Sequence, residues 1–123
     1  QTSIFSKLFK FKHRHVVWTI PEDLRRYFRE DRKRLNLLFK ASQITIDCWF
    51  KDKYKKKNIT PGFISILHTY GRNIGWNPHI HMILLEGGIN KDGFVHVNFF
   101  AYASFRKRFM KILLDLLIMM GNM

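Results

Sequence analysis

With 123 residues, 46% of them hydrophobic, the chain is long enough to bury one domain-sized core. Its charge is lopsided, 22 Lys and Arg against 9 Asp and Glu for a formal +13, which directs attention to a polyanion, nucleic acid first and a membrane surface second. No apolar run approaches the ~20 residues of a spanning helix, the start QTSIFSKLFKFKHRH lacks a signal peptide's apolar region, and the lone Cys48 excludes an intrachain disulfide or a cysteine-based zinc ribbon and reads as a small core residue.

Residues 1–12 alternate Lys with Phe and Leu and read as a basic lead-in segment, leaving 13–123 as the domain proper. HVVWTI, His15 to Ile20, is β-branched and aromatic and is stopped by Pro21, which predicts a strand. Glu22 and Asp23 then favour the positive end of a helix dipole. A helical region follows to about Phe50, broken near Glu30. Leu24, Tyr27, Phe28, Leu35, Leu38, Phe39, Ile46, Trp49 and Phe50 form its apolar stripe, and the arginines from Arg25 to Arg34 read as a solvated face.

KDKYKKKNITPG is a basic loop in which Lys53, Lys55, Lys56 and Lys57 have a loose electrostatic role. A strand over Phe63–Thr69, a polar turn GRNIGWNP and a second strand over His79–Leu85 predict an antiparallel hairpin. Gly87-Gly88 and Lys91-Asp92-Gly93 read as a further turn region before a short strand at Phe94–Asn98. A final helix opens at Tyr102 or Ser104 and keeps the 3.6-residue period through Phe105, Phe109, Ile112, Leu113, Leu116 and Leu117. This order predicts an α+β domain: a ferredoxin-like split βαβ with an antiparallel sheet, helices packed on one face, and a C-terminal end at which the closing strand is missing.

The chemistry concentrates in LHTYGRNIGWNPHIHMILLEGG. On a strand, residues two apart share a face, so His79 and His81 stand side by side with Ile80 pointing away. His68, eleven positions before His79 on the antiparallel partner, falls beside His81 or diagonally from it, where cross-strand Cβ atoms are about 5 Å apart. Three imidazoles on one face make a metal cage open on one side, the form that suits catalysis rather than structure. His13 and His15 form a second His-x-His, with sheet packing or a phosphate contact as its reading. In the hairpin turn, Arg72 and Asn73 are placed to hold phosphates, Trp76 to stack on an unpaired base or pack under the turn, and Tyr70 to help bind DNA.

His79-Ile80-His81 resembles the HUH motif of rolling-circle nucleases, and His68 followed after ten residues by this motif resembles the three-histidine metal site of relaxases. The wider pattern, from HRHVVWTIPEDLRRYF through HTYGRNIGWNPHIH to FFAYASFRKRFMKILLDLL, is similar to the two-tyrosine transposases of rolling-circle insertion sequences over roughly residues 11–118. The resemblance implies a partial HUH core that cuts and rejoins single-stranded DNA through a 5′-phosphotyrosine link, with a divalent metal on the histidines. Imidazole ligands suit Mn²⁺, and Mg²⁺ is the cellular alternative. It further implies a bacterial cytoplasmic protein, no membrane partner, room for a homo-oligomer, and a nucleophilic tyrosine on a helix beyond this chain. Of the four tyrosines present only Tyr102, at the start of the last helix, is a candidate for that role. The opposing expectation is a non-enzymatic basic nucleic-acid-binding module whose histidines merely pack, and which binds without regard to divalent metal.

Overall fold

The computed structural model of the chain describes residues 11–71, 73 and 75–121. Strand β1 (His13–Trp18) leads into helix α1 (Glu22–Glu30). Glu22 and Asp23 lie in its first turn as the dipole prefers. Asp31, in extended conformation, ends α1 and caps a single 3₁₀ turn (Arg32–Arg34) by accepting from the Lys33 N–H at 3.0 Å, and α2 (Leu35–Lys53) follows at once. The hairpin is longer than its alternation predicts, with β2 at Thr60–Tyr70 and β3 at Trp76–Asn90. β4 (Gly93–His96) and α3 (Tyr102–Met119) complete the described chain. Among the described residues no helix is long and apolar enough to cross a membrane.

The sheet is antiparallel throughout. β3 is its axis, with β1 on one side, β2 on the other, and β4 paired to the far end of β3. β1 and β2 therefore run parallel with β3 between them, joined by the helical crossover, which is the split βαβ arrangement. Alternation along β3 sorts its two faces. Ile80, Met82 and Leu84 are fully buried, whereas His79, His81, Ile83 and Leu85 are half-exposed. The buried face meets Phe28 of α1, Leu38, Ile46 and Phe50 of α2, and Leu113 and Leu117 of α3, all fully buried in one core. Inside α2 the buried Ser42 and Thr45 hydroxyls donate to the carbonyls of Phe39 (2.9 Å) and Ala41 (2.7 Å), so neither is left unsatisfied. Cys48 is half-buried on α2.

Gly87-Gly88 is not a turn. β3 continues through it, with a register irregularity against β2 between Leu84 and Gly88, and this is where three strands crowd together: a Cβ on Gly88 would stand 2.2 Å from the Thr60 carbonyl oxygen of β2, and one on Gly87 2.3 Å from the Val95 oxygen of β4. Glycine is there for close approach of backbone. The turn falls at Lys91 and Asp92, where Asn90 Oδ1 accepts from the Asp92 N–H.

Of the lead-in segment, residues 1–10 lie outside the described residues. The Lys12 carbonyl accepts from the Glu86 N–H at 2.9 Å, extending the β1–β3 pairing by one step.

Candidate metal centre

The uncovered face of the sheet carries the histidines. His68 on β2 pairs directly with His79 on β3, and His81 lies diagonally from it. Ring centres are 4.3 Å apart for His68–His81, 4.9 Å for His79–His81 and 5.5 Å for His68–His79. One ring nitrogen from each lies within 4.8 Å of the others, and among the described residues no carboxylate or thiol joins the group. A zinc–imidazole bond, for scale, is about 2.0–2.1 Å, so side-chain rotations can bring all three nitrogens onto one ion. His68 is exposed and the other two are half-buried, a cage closed by the sheet and open to solvent.

The local backbone prepares this geometry. Between the His68–His79 and Tyr70–Trp76 pairs the register slips, so Thr69 faces both Asn77 and Pro78, a bulge on β3. Pro78 has no N–H to give the ladder, and a bulge is where a strand tolerates it. The bulge turns the Asn77 carbonyl onto His79, whose Nδ1 lies 2.6 Å from it. A carbonyl only accepts, so Nδ1 carries the proton and the Nε2 lone pair of His79 is directed outward.

His15, sheet packing or a phosphate contact by sequence, sits beside the cluster. Its Nε2 is 2.8 Å from His81 Nδ1, with ring centres 5.0 Å apart. Contact with a group 66 positions away depends on β1 lying against β3, which no local spacing announces. Burial first, then the neighbouring His68, His79 and His15, hold the His81 imidazole below its ordinary pKa and so keep it in the neutral, ligating form. With His81 ligating through Nε2, its Nδ1–H donates to His15, the outer contact that fixes tautomer and ring plane. His15→Ala is therefore expected to weaken Mn²⁺ binding roughly 10–100-fold, with partial recovery in His15→Gln, whose amide oxygen also accepts. Calorimetry checks this, and equal affinity in all three proteins would refute it. His13 bonds through Nδ1 to the Phe11 carbonyl (2.9 Å), and His96 stands edge-on to Phe94 on β4; neither is part of the cluster.

The other candidates are placed differently from one another. Asn73 is exposed and its side chain accepts from the Gly75 N–H at 3.2 Å, holding the hairpin turn. Arg72 lies outside the described residues. Tyr70 and Trp76 form the strand pair nearest the turn, their rings edge to face at 6.1 Å. The Trp76 indole is not an open stacking surface: its N–H donates to the Arg25 carbonyl (2.8 Å), and the guanidiniums of Arg29 and Arg32 lie against the ring.

Tyr102, the candidate nucleophile, is held by an arginine of β1. Its hydroxyl accepts from Arg14 Nη1 at 3.0 Å. Arg14 pairs with the fully buried Leu84 and so projects from the helix-covered face, opposite the histidines. The same guanidinium binds Glu86 (2.8 Å) and the Asn98 carbonyl (2.9 Å), and the hydrogen bond from Arg14 holds the Glu86 carboxyl below the usual range. Tyr102 belongs to a node that fastens the start of α3 to the sheet.

Comparison with known proteins agrees with the transposase part of the sequence reading. Residues 62–120 match a family model described as "Putative transposase". The chain is 30% identical over 104 residues to the "Transposase for insertion sequence element IS801" of Pseudomonas savastanoi pv. phaseolicola, covering 85% of this chain and 24% of that protein. It is 30% identical over 89 residues to "Putative transposase y4qJ" of Sinorhizobium fredii (strain NBRC 101917 / NGR234), covering 72% of this chain and 22% of that protein. The chain thus spans under a quarter of the length of these curated relatives. No solved structure gives a significant match.

Proposed function

We propose, from this similarity to transposases, that the chain is the metal-holding part of an HUH-type enzyme that cuts and rejoins single-stranded DNA in the bacterial cytoplasm. The observation that carries the reading is the set of three imidazoles converging within 4.8 Å on the one sheet face that no described helix covers. A divalent cation bound there, Mg²⁺ or Mn²⁺, would supply Lewis-acid polarisation of a phosphodiester and a fixed orientation for it.

The chain's own residues do the holding and the aiming. His79 presents Nε2 because Asn77 occupies its other nitrogen, and His81 is oriented by His15. Val17 and Ile66, paired with His81 from either side and both exposed, form apolar walls that keep water from the flanks of the site. An unpaired strand can bend onto such a face, where a stiff duplex meets it only along an edge. The attacking tyrosine of this reading comes from elsewhere, a further segment or a second copy. Tyr27 is half-buried on α1, Tyr54 packs on Trp49 and Phe50, Tyr70 pairs with Trp76, and Tyr102 is held by Arg14. Each has a packing or hydrogen-bond role of its own, which favours a tyrosine presented from elsewhere for an in-line attack at ~3–3.5 Å.

The test is fluorescence anisotropy with one labelled oligonucleotide, single-stranded or annealed to its complement, with and without Mn²⁺. Tighter binding of the single strand, strengthened by Mn²⁺ and with no covalent band on denaturing gels, is the expected outcome. Equal or better affinity for duplex, indifferent to metal, would overturn it in favour of a plain basic binding module.

A further inference from the structure

Two cations share one indole at the hairpin end. Arg29, in the last turn of α1, lies 5.8 Å from the centre of the Trp76 ring, and Arg32, in the 3₁₀ turn that follows, lies 5.4 Å from it. Both arginines are exposed. The nearest acids in sequence are already engaged, since Glu30 and Asp31 each stand 3.8 Å from Arg34. Among the described residues, neither Arg29 nor Arg32 makes an ion pair. Stacking on the ring is worth about 0.5–1 kcal/mol per cation at exposed sites. It orders two rotamer-rich side chains side by side and leaves their charge uncompensated, so an anion that meets both finds them already arranged.

The location says which anion. The Tyr70–Trp76 pair is the next strand pair beyond His68–His79 toward the turn. Two residues along β2 separate them, roughly 7 Å. The Trp76 N–H bond to the Arg25 carbonyl fastens α1 to this same spot, so the arginines move with the hairpin that carries the histidines. A polyanionic strand that continues from the histidines toward the turn runs to this end of the hairpin.

We propose that Arg29 and Arg32, held on Trp76, form a phosphate clamp that grips the backbone of single-stranded DNA beside the histidine cluster. The inference rests on reading the histidine face as a DNA site, and it gives Trp76 a different task from base stacking: the indole is a platform for guanidiniums. The clamp carries no sequence preference, because phosphates are the same in every sequence.

Salt dependence separates the possibilities. Each phosphate neutralised on a single strand contributes about 0.7 to the slope of log affinity against log salt. Anisotropy titrations of a labelled single strand between low and moderate salt are run on the wild-type chain, on Arg29→Gln/Arg32→Gln, and on Lys55→Gln/Lys56→Gln as an equally charged control on the remote loop. The clamp predicts a slope shallower by about 1.4 in the arginine variant, a much smaller change in the lysine variant, and unchanged thermal unfolding in both. An unaltered slope in the arginine variant, or an equal change in the two, overturns the clamp while leaving the DNA reading in place. A wild-type chain that binds no single strand at any salt removes both.

Discussion

His79→Ala combined with His81→Ala is expected to abolish binding of Mn²⁺ or Co²⁺ in calorimetry at neutral pH, while the fold survives. The remaining His68 is one exposed imidazole, and one imidazole in water does not hold such an ion. The loss should exceed by far the ~10–100-fold that follows removal of an outer-shell partner. The fold survives because both side chains leave from the uncovered face. Between and beyond them Ile80 and Met82 remain fully buried against the helices, so truncating the two half-buried imidazoles, at about 1 kcal/mol each, leaves the core in place. Unchanged metal binding in the double variant would eliminate the site. Affinity should also fall as pH drops through the ordinary imidazole range near ~6.5, because protons compete for the lone pairs. His81 is held below its ordinary value, so its lone pair resists protonation further into acid. In the metal-free protein the same shift acts on stability. Below the ordinary imidazole pKa the unfolded chain takes up a proton at residue 81 that the folded chain refuses, so stability present at neutral pH declines until folded His81 also titrates.

Gly88→Ala should be among the most destabilising single changes of a small side chain in this domain. The added methyl would meet the Thr60 carbonyl oxygen at 2.2 Å and the Ile59 side chain at 2.5 Å. The first obstacle is backbone of a paired strand, which cannot swing aside. Overpacking of a core ordinarily costs about 1–3 kcal/mol, occasionally more, and the rigid obstacle puts this site at the upper end, against a total stability on the order of 5–15 kcal/mol. Gly71→Ala is the matched comparison. Its nearest contact would be Asn77 Nδ2 at 3.5 Å, ordinary van der Waals distance, and the change should stay within about 0.5 kcal/mol. Urea midpoints measure both, and similar midpoints for the two variants would contradict the crowding described at the junction of β2, β3 and β4.

The elements that dominate the fold were legible because their apolar residues keep one period. Phe105, Phe109, Leu113 and Leu117 recur every four residues on α3 and are all buried. The β–α–β–β–α order was enough to give the class, an antiparallel sheet with helices packed on one face. The three histidines were legible for the same reason, since period two and hairpin spacing are local facts. What stayed hidden depended on long-range placement. His15 could not be assigned to His81 without the sheet order. Tyr102 opens a helix either way, and only the pairing of Arg14 with Leu84 shows which side of the sheet its hydroxyl lies on. Gly87-Gly88 misled because glycine punctuates turns far more often than it relieves crowding inside a strand. The arginines of α1 have the spacing of a solvated face, and their gathering on Trp76 exists only once the hairpin end meets the helix.

β3 carries every strand pairing among the described residues, and it also carries His79 and His81. Its alternate positions answer to different demands, core packing at Ile80, Met82 and Leu84 and ion geometry at His79 and His81, with the glycine pair fixed by crowding farther along. Such a strand has almost no neutral positions, so inherited variation must accumulate elsewhere, on the outer faces of the helices and in the lysine loop. A loss-of-function allele in β3 consequently says little about chemistry until its fold has been measured, whereas one at the exposed His68 or His15 bears on the site directly.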